Sequence, residues 1–331
     1  MKNIIVRTSF RSHLIRIGIS LGILILVLIR YYPAGKSSLF QVTSSRHLVL
    51  AILVSLILIQ VLAAWRWRLF LLAVKSRERF SNLLLINLKS LFWGLFLPSA
   101  DGYALIRIYL LERKNPRERG KAGGSVITEK FLGALILGLL ALIFNLLNRR
   151  ELLSAYLLLF AALIMITGII LWVFLGSRQL SVLLTKRKYK KGILGAVLQY
   201  LNTLQQALAG IKWVKIFWII IPVVITVQIF SILCVALIFA ALGVSLPLLY
   251  HLAILPVIQI LTLIPITFNG FGMREGLFIQ VYGGLGISPG VSFSASIIYF
   301  LVLACVPALI GGIITIALPG YHGEDDKEGS A

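Results

Sequence analysis

The stretch LIPITFNGFGMREGLF, Leu263 to Phe278, interrupts an apolar run with a proline, an Asn-Gly-Phe-Gly turn and an adjacent arginine and glutamate. Turn residues and charges inside a hydrophobic run are typical of a helix that breaks within a membrane. The composition agrees, since 59% of the 331 residues are hydrophobic and 13% are charged, against about 45–50% and about 25% in soluble domains. The sequence therefore predicts an all-α polytopic membrane protein.

Six apolar segments are interpreted as full transmembrane helices, because a bilayer needs about 20 mainly apolar residues. We expect a single membrane domain over 1–320 and an acidic cytoplasmic tail over 321–331. An amphipathic helix over 193–212, with leucines and isoleucines at helical spacing after a lysine cluster, is predicted to lie in the membrane interface. The six segments are 14–29, 47–65, 123–147, 152–175, 217–242 and 291–318.

Two further regions, 83–111 and 250–287, are each too broken to cross once and are predicted to be re-entrant helical hairpins. In the first, Pro98 precedes Arg107 by the same number of residues as Pro265 precedes Arg274 in the second. The second region is also interrupted at Pro256. Similar hairpins that enter from opposite sides indicate an inverted repeat. Chance or common turn chemistry is the alternative explanation of this match.

The net charge of +21 is explained by orientation rather than by nucleic-acid binding. Lysine and arginine collect on the cytoplasmic side of membrane proteins, and most of the 32 fall on one side of the predicted topology. Both termini are therefore expected in the cytoplasm, with the protein in the plasma (inner) membrane. The residues expected outside are Arg30, Lys36, Arg46, Arg149 and Arg150.

Charged side chains inside the predicted hairpins and their neighbours form the candidate site, because a charge in the bilayer needs a partner or a cavity. Arginine matches a phosphate with its planar fork, and a helix that starts after a glycine turn directs N–H groups at an anion. The predicted phosphate-binding residues are Arg107, Arg274, Gly102, Asn269, Gly270 and Gly272, and the counter-ion or proton-carrying residues are Asp101, Glu129, Lys130 and Glu275.

Adjacent charges on a helix point about 100° apart, so we expect pairing between elements, for instance Glu129 with Arg274 or Arg107 with Glu275. The alternative is that these charges only lock the fold as structural ion pairs. Lys89 is expected to extend to the inner interface. No paired acids, Ser/His/Asp set, nucleotide loop or metal spacing is readable, so neither catalysis, nor a cofactor, nor a metal is predicted.

Three motifs resemble the flippase-like membrane region of lysylphosphatidylglycerol synthases and their stand-alone relatives: LFWGLFLPSADGYALIRIYLL, GGSVITEKFLGALILGLLAL and IPITFNGFGMREGLF. The resemblance covers nearly the whole chain and implies the lipid-handling region without the soluble aminoacyl transferase. Two departures are Ser99-Ala100-Asp101-Gly102, where the family often has a Gly-Gly-Asp-like turn, and Glu129-Lys130, where it tends to have Glu-Arg. Lys130 keeps the charge without the bidentate fork.

The function expected is translocation of an anionic phospholipid, an aminoacylated phospholipid or a polyprenyl-phosphate lipid between leaflets. The alternatives are a membrane-embedded head-group transferase, with Asp101 or Glu129 as base, and a scaffold for an envelope enzyme. The expected partners are membrane lipids with anionic head groups, with a second copy of the chain or an envelope-biosynthesis enzyme as further candidates.

Overall fold

The computed structural model describes residues 41–97, 102–115, 119–147, 155–176, 199–206, 213–263, 267 and 270–318. All regular structure in these ranges is helical, which confirms the all-α prediction. The predicted first helix at 14–29, most of the interfacial helix at 193–212 and the acidic tail at 321–331 lie outside the described residues.

Ten helices are described, and four of them are long and apolar enough to cross a membrane. The first group consists of α1 (Ser45–Ala73), α2 (Phe80–Leu95), α3 (Gly102–Lys114), α4 (Lys121–Leu147) and α5 (Ala155–Gly176). After a short helix α6 at 199–206, the second group consists of α7 (Trp213–Ala241), α8 (Leu248–Thr262), α9 (Met273–Gly283) and α10 (Pro289–Ala317). The long helices are α1, α4, α7 (over Trp218–Ala241) and α10.

The same order of elements occurs twice: a long helix, two short helices separated by a break, and a second long helix. Equal numbers of residues separate the starts of α1 and α7, of α2 and α8, and of α4 and α10. The short helices have 16 and 13 residues in the first unit and 15 and 11 in the second. At about 1.5 Å per residue each is shorter than the roughly 30 Å hydrocarbon core.

The two units pack across one another, because the last helix of each lies against the first short helix of the other. Along its C-terminal half, α10 contacts α2, and α4 contacts α8. Gly311 and Gly312 permit the first contact: a Cβ at Gly311 would overlap the Leu88 carbonyl oxygen, and one at Gly312 would meet the Phe92 ring at 2.9 Å. Small residues are what close packing of membrane helices requires.

Replacing Gly311 by alanine is expected to lower the free energy of unfolding by about 1–3 kcal/mol, the usual cost of overpacking. The measurement is thermal unfolding in detergent followed by tryptophan fluorescence. Gly133→Ala is the matched control, because a Cβ at Gly133 meets nothing within 4 Å. An unchanged Tm for Gly311→Ala would contradict the close contact between α10 and α2.

Lys89 lies at the same contact, where its Nζ donates a hydrogen bond to the Leu318 carbonyl oxygen at 3.1 Å. Positive charge is favourable at the C-terminal end of a helix, and Leu318 follows the last residue of α10. Lys89 is buried, so its ammonium group caps a helix end inside the protein.

The described part of the predicted interfacial helix, α6, is attached to the last turn of α3, which also binds the loop that follows it. The Tyr200 hydroxyl donates to Glu112 Oε1 at 3.1 Å, and the backbone N–H of Gly120 donates to the same oxygen at 3.0 Å. Burial raises the pKa of Tyr200, and the neighbouring Glu112 carboxylate raises it further. The tyrosine therefore stays a neutral hydrogen-bond donor.

Two boundaries differ from the predictions. The apolar segment predicted over 47–65 continues as helix to Ala73, so Arg66 lies inside α1 and not in a cytoplasmic loop. Pro256 lies within α8 without ending it, because a membrane helix tolerates one lost backbone hydrogen bond where neighbouring groups compensate. The break in the second unit comes after Thr262 instead.

Candidate functional site

The breaks in the two units meet at one cavity of about 350 Å³. This volume is within the range of about 300–1,000 Å³ usual for ligand pockets. Tyr299 and Phe300 of α10 contribute aromatic surface to its wall. The polar and glycine residues that line it, besides Tyr299, are Gln60, Arg66, Asn87, Tyr103, Arg107, Thr262, Gly270 and Arg274.

On the first-unit side, Glu129 of α4 binds two arginines. Its Oε1 accepts hydrogen bonds from Arg66 Nε at 3.0 Å and Nη2 at 2.6 Å, and its Oε2 accepts one from Arg107 Nη2 at 2.5 Å. Glu129 is 3% exposed and Arg107 is 1% exposed. Charge-assisted hydrogen bonds of this kind are about twice as strong as neutral ones. We call Arg66, Arg107 and Glu129 the first ion cluster.

Aromatic rings hold the Arg107 guanidinium in position. Its Cζ lies 4.5 Å from the centre of the Trp67 ring and 5.7 Å from that of Tyr103. Trp67 is fixed in turn by a hydrogen bond from its Nε1 to Ser125 Oγ at 3.1 Å. Lys130 Nζ lies 4.6 Å from the Tyr103 ring. Cations on ring faces are attracted by the π electrons, so the aromatic residues keep positive charge beside the cavity.

On the second-unit side, Glu275 caps its own helix. Its Oε2 accepts from the backbone N–H of Gly272 at 2.5 Å, and its Oε1 accepts from Arg274 Nη2 at 2.7 Å and from Ser296 Oγ at 3.3 Å. Arg274 Nε lies 3.2 Å from Ser296 Oγ. A glutamate three residues after the N-cap that bonds back to it is half of a capping box. We call Arg274, Glu275 and Ser296 the second ion cluster.

The second cluster is also clamped by rings, with the Arg274 Cζ 4.8 Å from the centre of Phe300 and 5.4 Å from that of Phe271. Gly270 and Gly272 have φ angles of 77° and 83°, a region that favours glycine because it lacks Cβ. A Cβ at Gly270 would meet nothing within 4 Å. The glycine requirement at Gly270 is therefore conformational, and the space beside it belongs to the cavity.

The two clusters occupy corresponding places in the two units. Arg107 and Glu129 are separated by as many residues as Arg274 and Ser296. The position that is Glu129 on α4 in the first unit is therefore Ser296 on α10 in the second. The acid of the second unit, Glu275, lies on the short helix α9 instead. Each cluster is an arginine on a short helix that bonds to the following long helix.

The predicted pairing between elements is right for Glu129, which bonds to Arg107 and Arg66, but the suggested Glu129–Arg274 and Arg107–Glu275 pairs are wrong. Arg274 pairs with its neighbour Glu275. The 100° argument fails there because both residues lie in the first helical turn, where Glu275 turns back to the N-cap and the long arginine side chain follows it.

The candidate residues other than Gly102 and Lys130 fall into three groups. Arg107, Arg274 and Gly270 line the cavity. Glu129 and Glu275 lie one layer behind them, bonded to the arginines, and the N–H of Gly272 is occupied by Glu275. Asp101 and Asn269 lie outside the described residues.

Gly102 begins α3 and packs on α2, since a Cβ there would lie 2.8 Å from the Gly94 carbonyl oxygen and 2.7 Å from the Leu97 side chain. This glycine therefore allows the two arms of the hairpin to approach each other. It is not among the described residues that line the cavity.

Sequence reasoning missed Arg66, Gln60 and Asn87. The predicted segment 47–65 ends just before Arg66 and so places it in the following loop, although the mainly apolar residues as far as Val74 indicate a helix that continues. Gln60 and Asn87 are neutral amides in apolar runs and carry no spacing signal. Their polarity at positions predicted to be within the membrane was the available clue.

Comparison with known proteins adds family relations to this geometry. The family model described as lysylphosphatidylglycerol synthase TM region matches residues 14–311. A UPF0104 membrane protein from Methanothermobacter thermautotrophicus is 24% identical over 288 residues, which cover 81% of this chain and 81% of the relative. No solved structure gives a significant match.

Proposed function

The chain belongs to the lysylphosphatidylglycerol synthase transmembrane-region family, and from that premise we propose that it moves an anionic lipid between the leaflets of the plasma membrane. The lipids considered are a phospholipid, an aminoacylated phospholipid and a polyprenyl-phosphate carrier. The observation that carries the proposal is the cavity shared by the two broken regions, with Arg107 and Arg274 both in its wall.

The internal repeat supports alternating access. Each unit is a long helix, a helical hairpin too short to span, and a long helix. If the hairpins are re-entrant, each unit begins and ends on the same side, and α5 carries the chain across between them. The second unit is then inverted relative to the first, the arrangement that transporters use to open one central site to either face. Both termini are cytoplasmic in this topology, with 14–29 as the first crossing.

The charge balance around the cavity favours an anion. Among the described residues, the two ion clusters contain three arginines and two glutamates, so the arginines outnumber the carboxylates. A cavity with surplus positive charge and low-dielectric walls attracts a phosphate group. The acyl chains would remain in the surrounding lipid while the head group crosses the bilayer inside the protein.

The glutamates act as internal competitors of the substrate phosphate. Glu129 binds Arg66 and Arg107, and Glu275 binds Arg274, so each arginine is hydrogen-bonded to a carboxylate in the substrate-free protein. When a phosphate enters, it takes over part of these hydrogen bonds, and the carboxylates reclaim them when it leaves. Such exchange keeps buried arginines paired in every state, which a low-dielectric site requires.

The test is leaflet exchange of an anionic phospholipid with a fluorescent acyl chain, measured in proteoliposomes by chemical quenching of the outer leaflet. Protein-dependent exchange is expected. Ala63→Trp, which fills the cavity without altering a charge, is expected to reduce the initial rate at least about tenfold, because the head group loses its path.

Ile316→Trp is the matched control, because this side chain is 81% exposed on the outside of α10 and the added ring faces lipid. Its exchange rate should equal that of the unaltered protein. Absence of protein-dependent exchange for every anionic lipid tried, or full exchange in Ala63→Trp, would contradict the proposal.

A further inference from the structure

We propose that Gln60 and Asn87 form a subsite for a hydroxyl-bearing head group, so that the cavity selects a phosphodiester lipid whose head group is a polyol, either glycerol or a sugar. This inference rests on the proposed function, since it assigns the substrate class of the same cavity. It adds Gln60 and Asn87 to the site and specifies the head group of the lipid, which the proposed function does not.

The two amides form a buried pair between helices α1 and α2. Asn87 Nδ2 donates a hydrogen bond to Gln60 Oε1 at 3.1 Å. Gln60 is 5% exposed and Asn87 is 3% exposed, and both line the cavity that contains Arg66 and Arg107. Amides are costly inside a membrane unless they are hydrogen-bonded or functional.

The pair has hydrogen-bonding capacity beyond its mutual bond. A primary amide has two N–H donors and a carbonyl oxygen that accepts two hydrogen bonds. The single bond between them uses one donor of Asn87 and one acceptor position of Gln60. The amide N–H groups of Gln60 and the carbonyl oxygen of Asn87 therefore provide a donor and an acceptor at neighbouring points of the cavity wall.

A donor next to an acceptor is complementary to a hydroxyl group, which both donates and accepts. It is less suited to a phosphate oxygen, which only accepts and for which the arginines are the better partners. The cavity thus has two chemical halves in the described residues: guanidinium groups for the phosphodiester and an amide pair for hydroxyls attached to it.

An ammonium head group fits this arrangement poorly. Such a group carries positive charge and only donates, whereas both described carboxylates of the ion clusters already accept from arginines. The excess of arginines over carboxylates in the two ion clusters disfavours phosphatidylethanolamine relative to a polyol lipid. Asp101 lies outside the described residues, and for that reason its asparagine variant is included in the test.

The experiment is native mass spectrometry of the full chain, released from detergent, with three lipids of identical acyl chains. Phosphatidylglycerol carries hydroxyls, phosphatidylmethanol is the same phosphodiester without them, and phosphatidylethanolamine carries an ammonium. We expect phosphatidylglycerol to bind about tenfold more tightly than each of the others, the effect of one or two neutral hydrogen bonds. A polyprenyl phosphohexose against the methyl phosphate of the same polyprenol distinguishes a sugar from glycerol.

Gln60→Met and Asn87→Leu, which preserve approximate volume, should each bring the ratio of phosphatidylglycerol affinity to phosphatidylmethanol affinity down to about one. Asn145→Leu is the matched control. Its amide bonds to the carbonyl oxygens of Ala141 and Ala253 and does not line the cavity, so its preference should be that of the unaltered protein. Thermal unfolding establishes whether each variant is folded. If a variant does not fold, the comparison of the three lipids on the unaltered protein still tests the inference.

The inference is overturned if the unaltered protein binds phosphatidylglycerol and phosphatidylmethanol equally, or if both amide variants keep the preference. It is equally overturned if phosphatidylethanolamine binds as tightly as phosphatidylglycerol, and loss of that affinity in Asp101→Asn would then identify Asp101 as the partner of the ammonium group. Binding is measured without leaflet exchange, so the two proposals fail separately. If the protein prefers hydroxyl-bearing lipids but does not exchange them, the polyol subsite stands and the translocase proposal fails. If it exchanges lipids without that preference, the translocase proposal stands and the subsite fails.

Discussion

Glu129→Gln is expected to lower the free energy of unfolding by about 3–5 kcal/mol, the cost of removing one partner from a buried ion pair. The carboxylate is 3% exposed and accepts three hydrogen bonds from Arg66 and Arg107. A neutral amide leaves two guanidinium groups close together in a site with little water. The measurement is unfolding in mixed micelles with increasing SDS.

Glu78→Gln is the control for loss of a carboxylate as such. Glu78 is partly exposed, lies in the loop before α2 and accepts a hydrogen bond at 2.9 Å from Asn82 in the first turn of α2. Its replacement should change the free energy of unfolding by less than about 1 kcal/mol, as for other solvated interactions. Equal losses in the two variants would contradict the assigned environment of Glu129.

A double-mutant cycle isolates the ion pair itself. Arg66→Met combined with Glu129→Gln removes one of the two stranded charges, so the double variant should be more stable than the sum of the single effects indicates. Arg66 is 12% exposed at its side chain, and methionine is a flexible apolar replacement. Additive losses would show that Arg66 and Glu129 do not interact energetically.

The repeat and its breaks were predictable because they depend on local signals. Gly270 and Gly272 adopt positive φ angles that their residue type predicts, and the equal spacing from proline to arginine marked corresponding positions in both units. Hydrophobicity alone also located α4, α7 and α10 within a few residues. These features depend only on a residue and its neighbours in the chain, so they can be read from the sequence without knowing which helices pack together.

Partner choice was not predictable, because it depends on which helices meet. Nothing in the sequence near Glu129 indicates that Arg66, on a different helix, would approach within 2.6 Å. Counting Arg66 as part of a basic loop followed from a rule about orientation that ignores where a helix ends. The Gln60–Asn87 pair was missed for the same reason, since only the packing of α1 on α2 brings the two amides together.

Arg274→Gln is expected to reduce the initial rate of lipid exchange by about 10–100-fold, because a hydrogen bond to a charged group contributes about 1.5–3 kcal/mol. Arg274 lies in the cavity wall between two aromatic rings, which fix the position of its guanidinium. The exchange rate of Arg274→Lys should lie between those of the unaltered protein and Arg274→Gln, since lysine keeps the charge without the planar fork. Rates are normalised to the amount of folded protein incorporated.

Stability measurements on the same variant separate a substrate contact from a structural lock. When Arg274 is replaced, Glu275 keeps its hydrogen bonds from the Gly272 N–H and the Ser296 hydroxyl, so unfolding should change far less than in Glu129→Gln. Arg113→Gln removes a positive charge from α3 that bonds to the exposed Tyr109 hydroxyl and does not line the cavity, and its exchange rate should be unchanged. If Arg274 had only a structural role, its replacement would lower stability and exchange in proportion. A strong loss of exchange in a stably folded Arg274→Gln protein therefore identifies a group that acts on the lipid. Unaltered exchange in that variant would contradict the phosphate role of Arg274.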